Sequence, residues 1–215
     1  MLFCTFASKP DKYHITMEIT VSKTRDRLIE VARQLFARHG VENTTMNDIS
    51  QASEKGRRTL YTYFKSKKEI YQAVTNAELD IILISLSEVT KKNLPADRKL
   101  LEFINVRLKT VKDVVFRNGT LRADFFRDIC RVENVRRNFD KKEIEFVEKI
   151  LSDGVREGIF RIEDTFSTAE VLHYALKGLE VPYIRGTIAD LDENEKKIKS
   201  IIDLMFFGIL KPPTP

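Results

Sequence analysis

Residues 57–63 read Arg-Arg-Thr-Leu-Tyr-Thr-Tyr, and five of these side chains suit contact with a nucleic acid. Arg57 and Arg58 can pair with phosphates or with the O6/N7 edge of guanine. Thr59, Tyr61 and Tyr63 bring hydroxyls for phosphates, and a tyrosine ring can pack on a thymine methyl. Leu60 and Phe64 stand at i, i+4 and would anchor a short helix inward, with Tyr61 and Tyr63 off that stripe. Just before lies another short helical pattern, residues 45–53, joined to the first by a tight polar turn. Two short helices at a steep angle, the second polar and facing out, are how a helix-turn-helix reads the major groove. Individual roles stay open at this level. Both arginines could touch backbone phosphates alone, and Tyr61 could be a core tyrosine.

The charge follows the same stretch. The 215-residue chain carries a net +5, and residues 22–70 hold eleven Lys/Arg against six Asp/Glu. Residues 1–21 hold two of each sign and residues 71–215 hold 24 of each, so the whole excess sits on the helix-turn-helix region. Phosphate neutralisation there would supply sequence-independent affinity for DNA. A solvated basic face would share the composition but not the helical pattern.

The elements that must position these side chains are all helical. Gly and Pro are scarce (8 and 6), apolar residues repeat with helical period, and the expected fold class is all-α with about nine helices. The first, residues 23–39, carries Leu28, Ile29, Ala32, Leu35 and Phe36 on one stripe and stops at Gly40. The second is capped by Thr45 with Asp48 reaching back, and would turn Met46, Ile49 and Ala52 inward. Ser66 with Glu69 opens a long fourth helix over residues 67–90, and Pro95 starts a fifth that runs to about residue 116. A sixth covers residues 121–139, and Asp140 with Glu143 caps a seventh that runs to residue 157. Residues 158–162 form a short apolar crossing. Ser167 with Glu170, and a Phe166–Val171 staple, begin an eighth helix that ends near residue 183. Asp192 with Glu195 caps a ninth, residues 193–210. The expected domains are a helix-turn-helix domain over residues 22–70, a helical domain over residues 71–211 and a tail over residues 212–215.

Residues 1–16 show no helical period and contain Pro10, so residues 1–21 are expected to be a disordered arm, or translation to start at Met17. The apolar run over residues 2–7 is too short, and lacks the basic flank, for a signal peptide. No apolar run approaches the ~20 residues that span a bilayer. Cys4 and Cys130 form neither a metal-ligand spacing nor a disulfide framework, which points to a reducing cytoplasm.

Leu35-Phe36 with His39-Gly40, then Thr-Thr-Met-Asn-Asp-Ile-Ser at 44–50, then Thr-Leu-Tyr-Thr-Tyr-Phe-Lys-Ser-Lys-Lys-Glu-Ile at 59–70, make a pattern that resembles the TetR family of bacterial transcriptional regulators. The resemblance covers residues 22–70. One departure stands out. The family usually places Gly-Val-Ser before the recognition helix, where this chain has Glu54-Lys55-Gly56, and Arg57-Arg58 replaces a more usual Lys-Gly pair. The resemblance implies that Thr45, Tyr63 and Lys67 hold phosphates while Arg57, Arg58, Thr59 and Tyr61 face the groove of a double-stranded DNA operator. Thr45 and Lys67 stand at helix starts, where free N–H groups favour phosphate, although capping alone also accounts for Thr45.

It further implies a homodimer through the eighth and ninth helices. Val171, Ala175 and Leu179 on one, and Ile198, Ile202, Met205, Phe206 and Ile209 on the other, are candidates for that interface. A small-molecule effector would bind between the fourth and seventh helices, tilt the fourth and release the operator. Phe103, Phe116, Phe125, Phe126, Phe139 and Phe146 are candidate lining residues, though such phenylalanines are commonly core. The reading is a ligand-responsive regulator, a repressor, with no enzyme activity, no cofactor and no membrane partner. Two rivals remain: a helical dimeric interaction protein that binds no DNA, and a helical metal enzyme. Glu170 and His173 have the spacing of a helical di-iron site, but such a site needs a second copy, and neither His14 nor His39 has a Glu three residues before it.

Overall fold

In the computed structural model, residues 12–118 and 133–184 are described, with side chains over 23–118 and 137–184. All regular structure among the described residues is helical: α1 (Lys12–His39), α2 (Met46–Ala52), α3 (Arg57–Tyr63), α4 (Lys67–Thr90), α5 (Ala96–Arg117), α6 (Glu133–Arg156) and α7 (Thr165–Ile184). The all-α expectation holds. The expected ninth helix and most of the expected sixth lie outside the described residues. The chain divides into two compact units between Val74 and Thr75.

Unit one is built on α1. Helix α1 starts at Lys12 rather than near residue 23, so residues 12–21, expected in an arm, are helical. Neither Gly nor Pro interrupts the chain between Pro10 and Gly40, and Pro10 itself lies before the first turn. The helix stops at Gly40, whose φ of +81° only glycine adopts without strain, and its N–H bonds the Phe36 carbonyl at 2.9 Å. Leu28, Ala32 and Phe36 are wholly buried with Ile49, Leu60 and Ile70. The Phe36 ring meets Tyr71 edge-on at 5.8 Å. Helix α2 turns Ile49, Ser50 and Ser53 inward and leaves Ala52 exposed, against the expected pattern. The two serines tolerate burial because each hydroxyl donates to a local carbonyl, Ser50 Oγ to Lys55 at 2.8 Å and Ser53 Oγ to Ser50 at 3.1 Å.

Unit two packs α6 and α7 against each other and both against α5. The inner face of α5 runs Leu100, Phe103, Ile104, Arg107, Leu108, Val111, Val114 and Val115, an unbroken helical stripe with a guanidinium in its middle. Arg107 is 1% exposed. It donates to Glu143 on α6 and, at 2.7 Å, to Glu180 on α7. The ring of His173, also buried, lies between two carboxylates, Nδ1 3.4 Å from Glu143 and Nε2 3.5 Å from Asp140. Lys177 completes the cluster at 3.0 Å from Asp140. Farther along, the buried Glu78 of α4 accepts from Arg117 and, at 2.9 Å, from Asn118 at the end of α5.

These partners correct three expectations. Asp140 and Glu143 do not cap a helix, because α6 runs unbroken through both and their carboxylates serve the cluster. Asp164, not Ser167, starts α7, accepting from the Ser167 N–H at 3.0 Å and hydroxyl at 2.6 Å. With the cap moved back, Phe166 and Val171 form no staple and are 49% and 68% exposed. Pro95 is the N-cap of α5, and the Ala96 N–H is satisfied by Glu157 from just beyond α6 at 3.0 Å.

Gly154 lets the last turn of α6 accept a neighbour. A Cβ there would stand 2.1 Å from the Phe160 ring and 2.9 Å from Ala96 Cβ, so the crossing after α6 depends on a missing side chain.

Two outcomes follow for unit two. Arg107→Met strands two buried carboxylates and should cost about 3–5 kcal/mol in urea unfolding, whereas replacing Arg107, Glu143 and Glu180 together by apolar residues should cost much less. Burial disfavours the charged imidazolium of His173, but Asp140 and Glu143 outweigh it and hold its pKa above the usual value. Its contribution is therefore complete below the unfolded pKa of about 6.5 and is lost as pH rises through the folded value. Burial likewise pushes the Glu143 and Asp140 carboxyls up, yet Arg107 and His173 for one, and His173 and Lys177 for the other, hold them below the usual range. Their contribution is lost only as pH falls through those lowered values. Thermal unfolding of unit two should thus shift to lower temperature as pH rises from about 6.5 through the raised folded value of His173, and His173→Gln should flatten that slope; an unchanged slope removes His173 as its source.

Candidate nucleic-acid interface

Helix α2 begins with a reciprocal cap. The Asp48 N–H donates to Thr45 Oγ1 at 3.2 Å while the Thr45 N–H donates to the Asp48 carboxylate at 2.8 Å. The bonds from Thr45 hold the Asp48 carboxyl below its usual range. Thr45 remains exposed at the helix start. The expected box is therefore present.

The α2–α3 turn is closed from several sides. The Glu54 N–H bonds the Gln51 carbonyl at 3.1 Å, and the Lys55 N–H bonds the Ser50 carbonyl at 3.2 Å. Glu54 has φ of +56°, the only positive φ outside glycine among the described residues. For a residue with a Cβ this costs about 1–2 kcal/mol. From α1, Arg27 Nε donates to the Ser53 carbonyl at 3.2 Å and Nη2 lies 3.4 Å from the Glu54 carboxylate. Sequence reasoning missed Arg27. A non-glycine at the expected glycine turn was the available signal that something nearby holds it.

Helix α3 starts at Gly56, which has extended backbone and no side chain to cap with. Leu60 is fully buried and Phe64 nearly so, and Arg25 of α1 lies 5.5 Å above the Phe64 ring. This locks the inner face. On the outer face Arg57, Arg58 and Tyr61 are exposed, with Thr59 and Tyr63 half-buried. The Arg58 carbonyl accepts from the Thr62 hydroxyl at 2.9 Å, but neither the Arg57 nor the Arg58 guanidinium has a hydrogen bond or ion pair among the described residues. The Lys67 ammonium, by contrast, donates to the Val41 carbonyl at 2.8 Å and the Glu42 carbonyl at 3.3 Å, tying the α1–α2 loop. At the start of α4 the Glu69 N–H bonds Ser66 Oγ at 3.2 Å, while its carboxylate accepts from the Lys65 N–H at 2.5 Å rather than from Ser66 itself.

The other candidate residues fall in unit two. Phe103 is wholly buried in the α5 stripe, Phe116 is 48% exposed at its end and Phe146 is half-buried on α6. Phe125 and Phe126 lie outside the described residues. A groove of about 370 Å³ is lined by Asn76, Leu79, Asp80 and Leu83 of α4 and by Asn138, Phe139 and Lys142 of α6. Of the candidate phenylalanines among the described residues, Phe139 lines it. Val171 and Ala175 of α7 are exposed and Leu179 is half-buried. Tyr174, Gly178 and Val181 continue the exposed stripe on the face opposite His173, Leu176 and Glu180. Ile198, Ile202, Met205, Phe206 and Ile209 lie outside the described residues. No helix among the described residues is long and apolar enough to cross a membrane.

Residues 28–74 match the family described as bacterial regulatory proteins, tetR family. Over 89 residues the chain is 35% identical to the probable acrEF/envCD operon repressor of Escherichia coli K12, covering 41% of this chain and 38% of that protein. The chain thus spans less than half the length of the curated relatives it matches. Among solved structures, the fatty acid degradation regulator FadR of Bacillus halodurans superposes with a TM-score of 0.65 at 16% identity, over 86% of this chain and 96% of that one. FadR of Bacillus subtilis, in complex with stearoyl-CoA, superposes with a TM-score of 0.61 at 16% identity, over 86% and 98%. At these identities the likeness is one of fold.

The bare start of α3 gives a direct test of the local geometry. A Cβ at Gly56 would meet nothing within 4 Å. Gly56→Ser should therefore cap the free N–H of Arg58 or Thr59 and raise stability by roughly a few tenths of a kcal/mol in urea unfolding. A loss of stability would mean that this turn cannot accept a side chain.

Proposed function

We propose that this chain, whose residues 28–74 are a helix-turn-helix domain of the TetR family, is a DNA-binding transcriptional regulator that acts as a homodimer. The observation that carries the reading is the outer face of α3. Two guanidinium groups without partners stand at the start of a helix whose inner face is fixed by Leu60 and Phe64. Set in a major groove, that end offers Arg57 and Arg58 to guanine or to flanking phosphates, with Thr59 and Tyr61 beside them. Thr45 sits where free N–H groups of α2 face a phosphate, and Tyr63 brings a hydroxyl to the same strand. Lys67 is bonded to the α1–α2 loop through the Val41 and Glu42 carbonyls, with the Glu42 carboxylate 3.8 Å away, and would bring its charge to a phosphate beside that loop.

A single helix-turn-helix reads few base pairs, and pairing two doubles the site into a near palindrome. The exposed stripe Val171, Tyr174, Ala175, Gly178 and Val181 supports α7 as part of the pairing surface. The operon repressor named among the relatives supports repression as the mode of action, in the cytoplasm where the DNA lies. Helix α4 runs continuously from Lys67 to Thr90 and so belongs to both units. A small-molecule effector in unit two would act by favouring one of two positions of α4, shifting the population between dimer geometries that hold and release the operator.

Selection of the purified protein against random double-stranded DNA at two salt concentrations tests this. The expected result is a near-palindromic site whose recovery falls steeply with salt. Enrichment without symmetry, or none, rejects it. On that site Arg58→Ala should lose about 1–3 kcal/mol of binding with unchanged unfolding, and wild-type affinity would take Arg58 out of the interface.

A further inference from the structure

We infer that Arg27 and Glu54 form a clamp that sets the angle at which α3 meets DNA, making Arg27 a positioning residue for sequence reading. The inference rests on the DNA-reading proposal above and adds a residue of α1 to it. Glu54 holds a left-handed backbone that a side chain disfavours, at the place where the chain changes direction between the two reading helices. The residues around it leave little freedom. The N–H groups of Glu54 and Lys55 are bonded to Gln51 and Ser50, and Ser50 Oγ returns to the Lys55 carbonyl at 2.8 Å. Rotation at Glu54 therefore passes directly into α3, which begins at Arg57.

Arg27 reaches this point from another helix and holds it twice, through the Ser53 carbonyl and through the Glu54 carboxylate. Both side chains are largely exposed, 52% and 84%, so as an ion pair they add little to stability. What the pair supplies is direction: the side chain that makes the turn unfavourable is also the handle by which α1 grips it. A glycine at the same position would need no such grip. The pairing also separates Arg27 from Arg57 and Arg58, which have no partner and are open to DNA.

The test uses Arg27→Gln, Glu54→Gly and the double variant of the full chain. Each is measured on the site selected by the wild type and on scrambled DNA of equal length, across a salt series. Arg27→Gln should weaken the selected site about 5- to 20-fold, leave scrambled DNA within about twofold and keep the salt slope. In the Glu54→Gly background the same change should cost at least about threefold less. Equal losses on both DNAs with a slope shallower by about 0.9 would make Arg27 a phosphate contact and overturn the clamp. Equal losses in both Glu54 backgrounds would also overturn it. A wild type that prefers no sequence would reject the regulator reading itself. The clamp is then judged by amide hydrogen exchange: faster exchange at Glu54 and Lys55 in Arg27→Gln supports it, and unchanged exchange there overturns it.

Discussion

Arg107 cannot lose its charge, and it sits where a leucine would be expected. Everything that packs on the middle of α5 must therefore bring a carboxylate. Glu143 and Glu180 meet that demand from α6 and α7, and Glu143 in turn places His173 beside Asp140. A buried ion cluster of this kind is weak evidence for stability, since well-packed apolar groups would do as well. Its consequence is register. Three helices can slide along apolar stripes at small cost, but they cannot slide past a guanidinium with two fixed acceptors.

Unit one fixes its register with an apolar anchor, two hydroxyls and one exposed ion pair, Arg27 with Glu54. Helix α3 is held inward by Leu60 and Phe64, and the turn before it is held by the hydroxyls of Ser50 and Ser53 and by Arg27. On the outer face the guanidinium groups of Arg57 and Arg58 are left without internal bonds. A side chain with no partner in the folded protein gives up only water and rotamer freedom when it meets a phosphate or base, whereas one already bonded must also exchange protein partners. That contrast separates Arg57 and Arg58 from Lys67, although all three carry the same charge.

Local features were legible in the sequence and remote ones were not. The Thr45–Asp48 box and the Gly40 stop depend on residues within one turn, and the Leu60–Phe64 anchor on the helical period alone. Asp140 with Glu143 and Ser167 with Glu170 have the same spacing as a true box but do other things. Their partners are Lys177, Arg107 and His173 in one case, and Asp164 takes the capping role in the other. Spacing rules cannot see a competitor that arrives from another helix. Glu157 supplying the Ala96 N–H, 61 residues away, is invisible for the same reason. Composition misled on the aromatics too. The count of phenylalanines says nothing of which are packed, and Phe103 and Phe116 on one helix prove to be opposite cases.

The two faces of α7 are subject to different kinds of evolutionary change. On the inner face Glu180 shares Arg107 of α5 with Glu143 of α6, and altering any of the three singly strands a charge, so these positions can change only as a block. On the outer face, Val171, Ala175 and Val181 are exposed in their own chain, so the fold alone does not fix them. After gene duplication, two copies would therefore keep a common interior while their exposed stripes diverged. With α7 as the proposed pairing surface, cross-pairing between the copies would fade before either lost its fold.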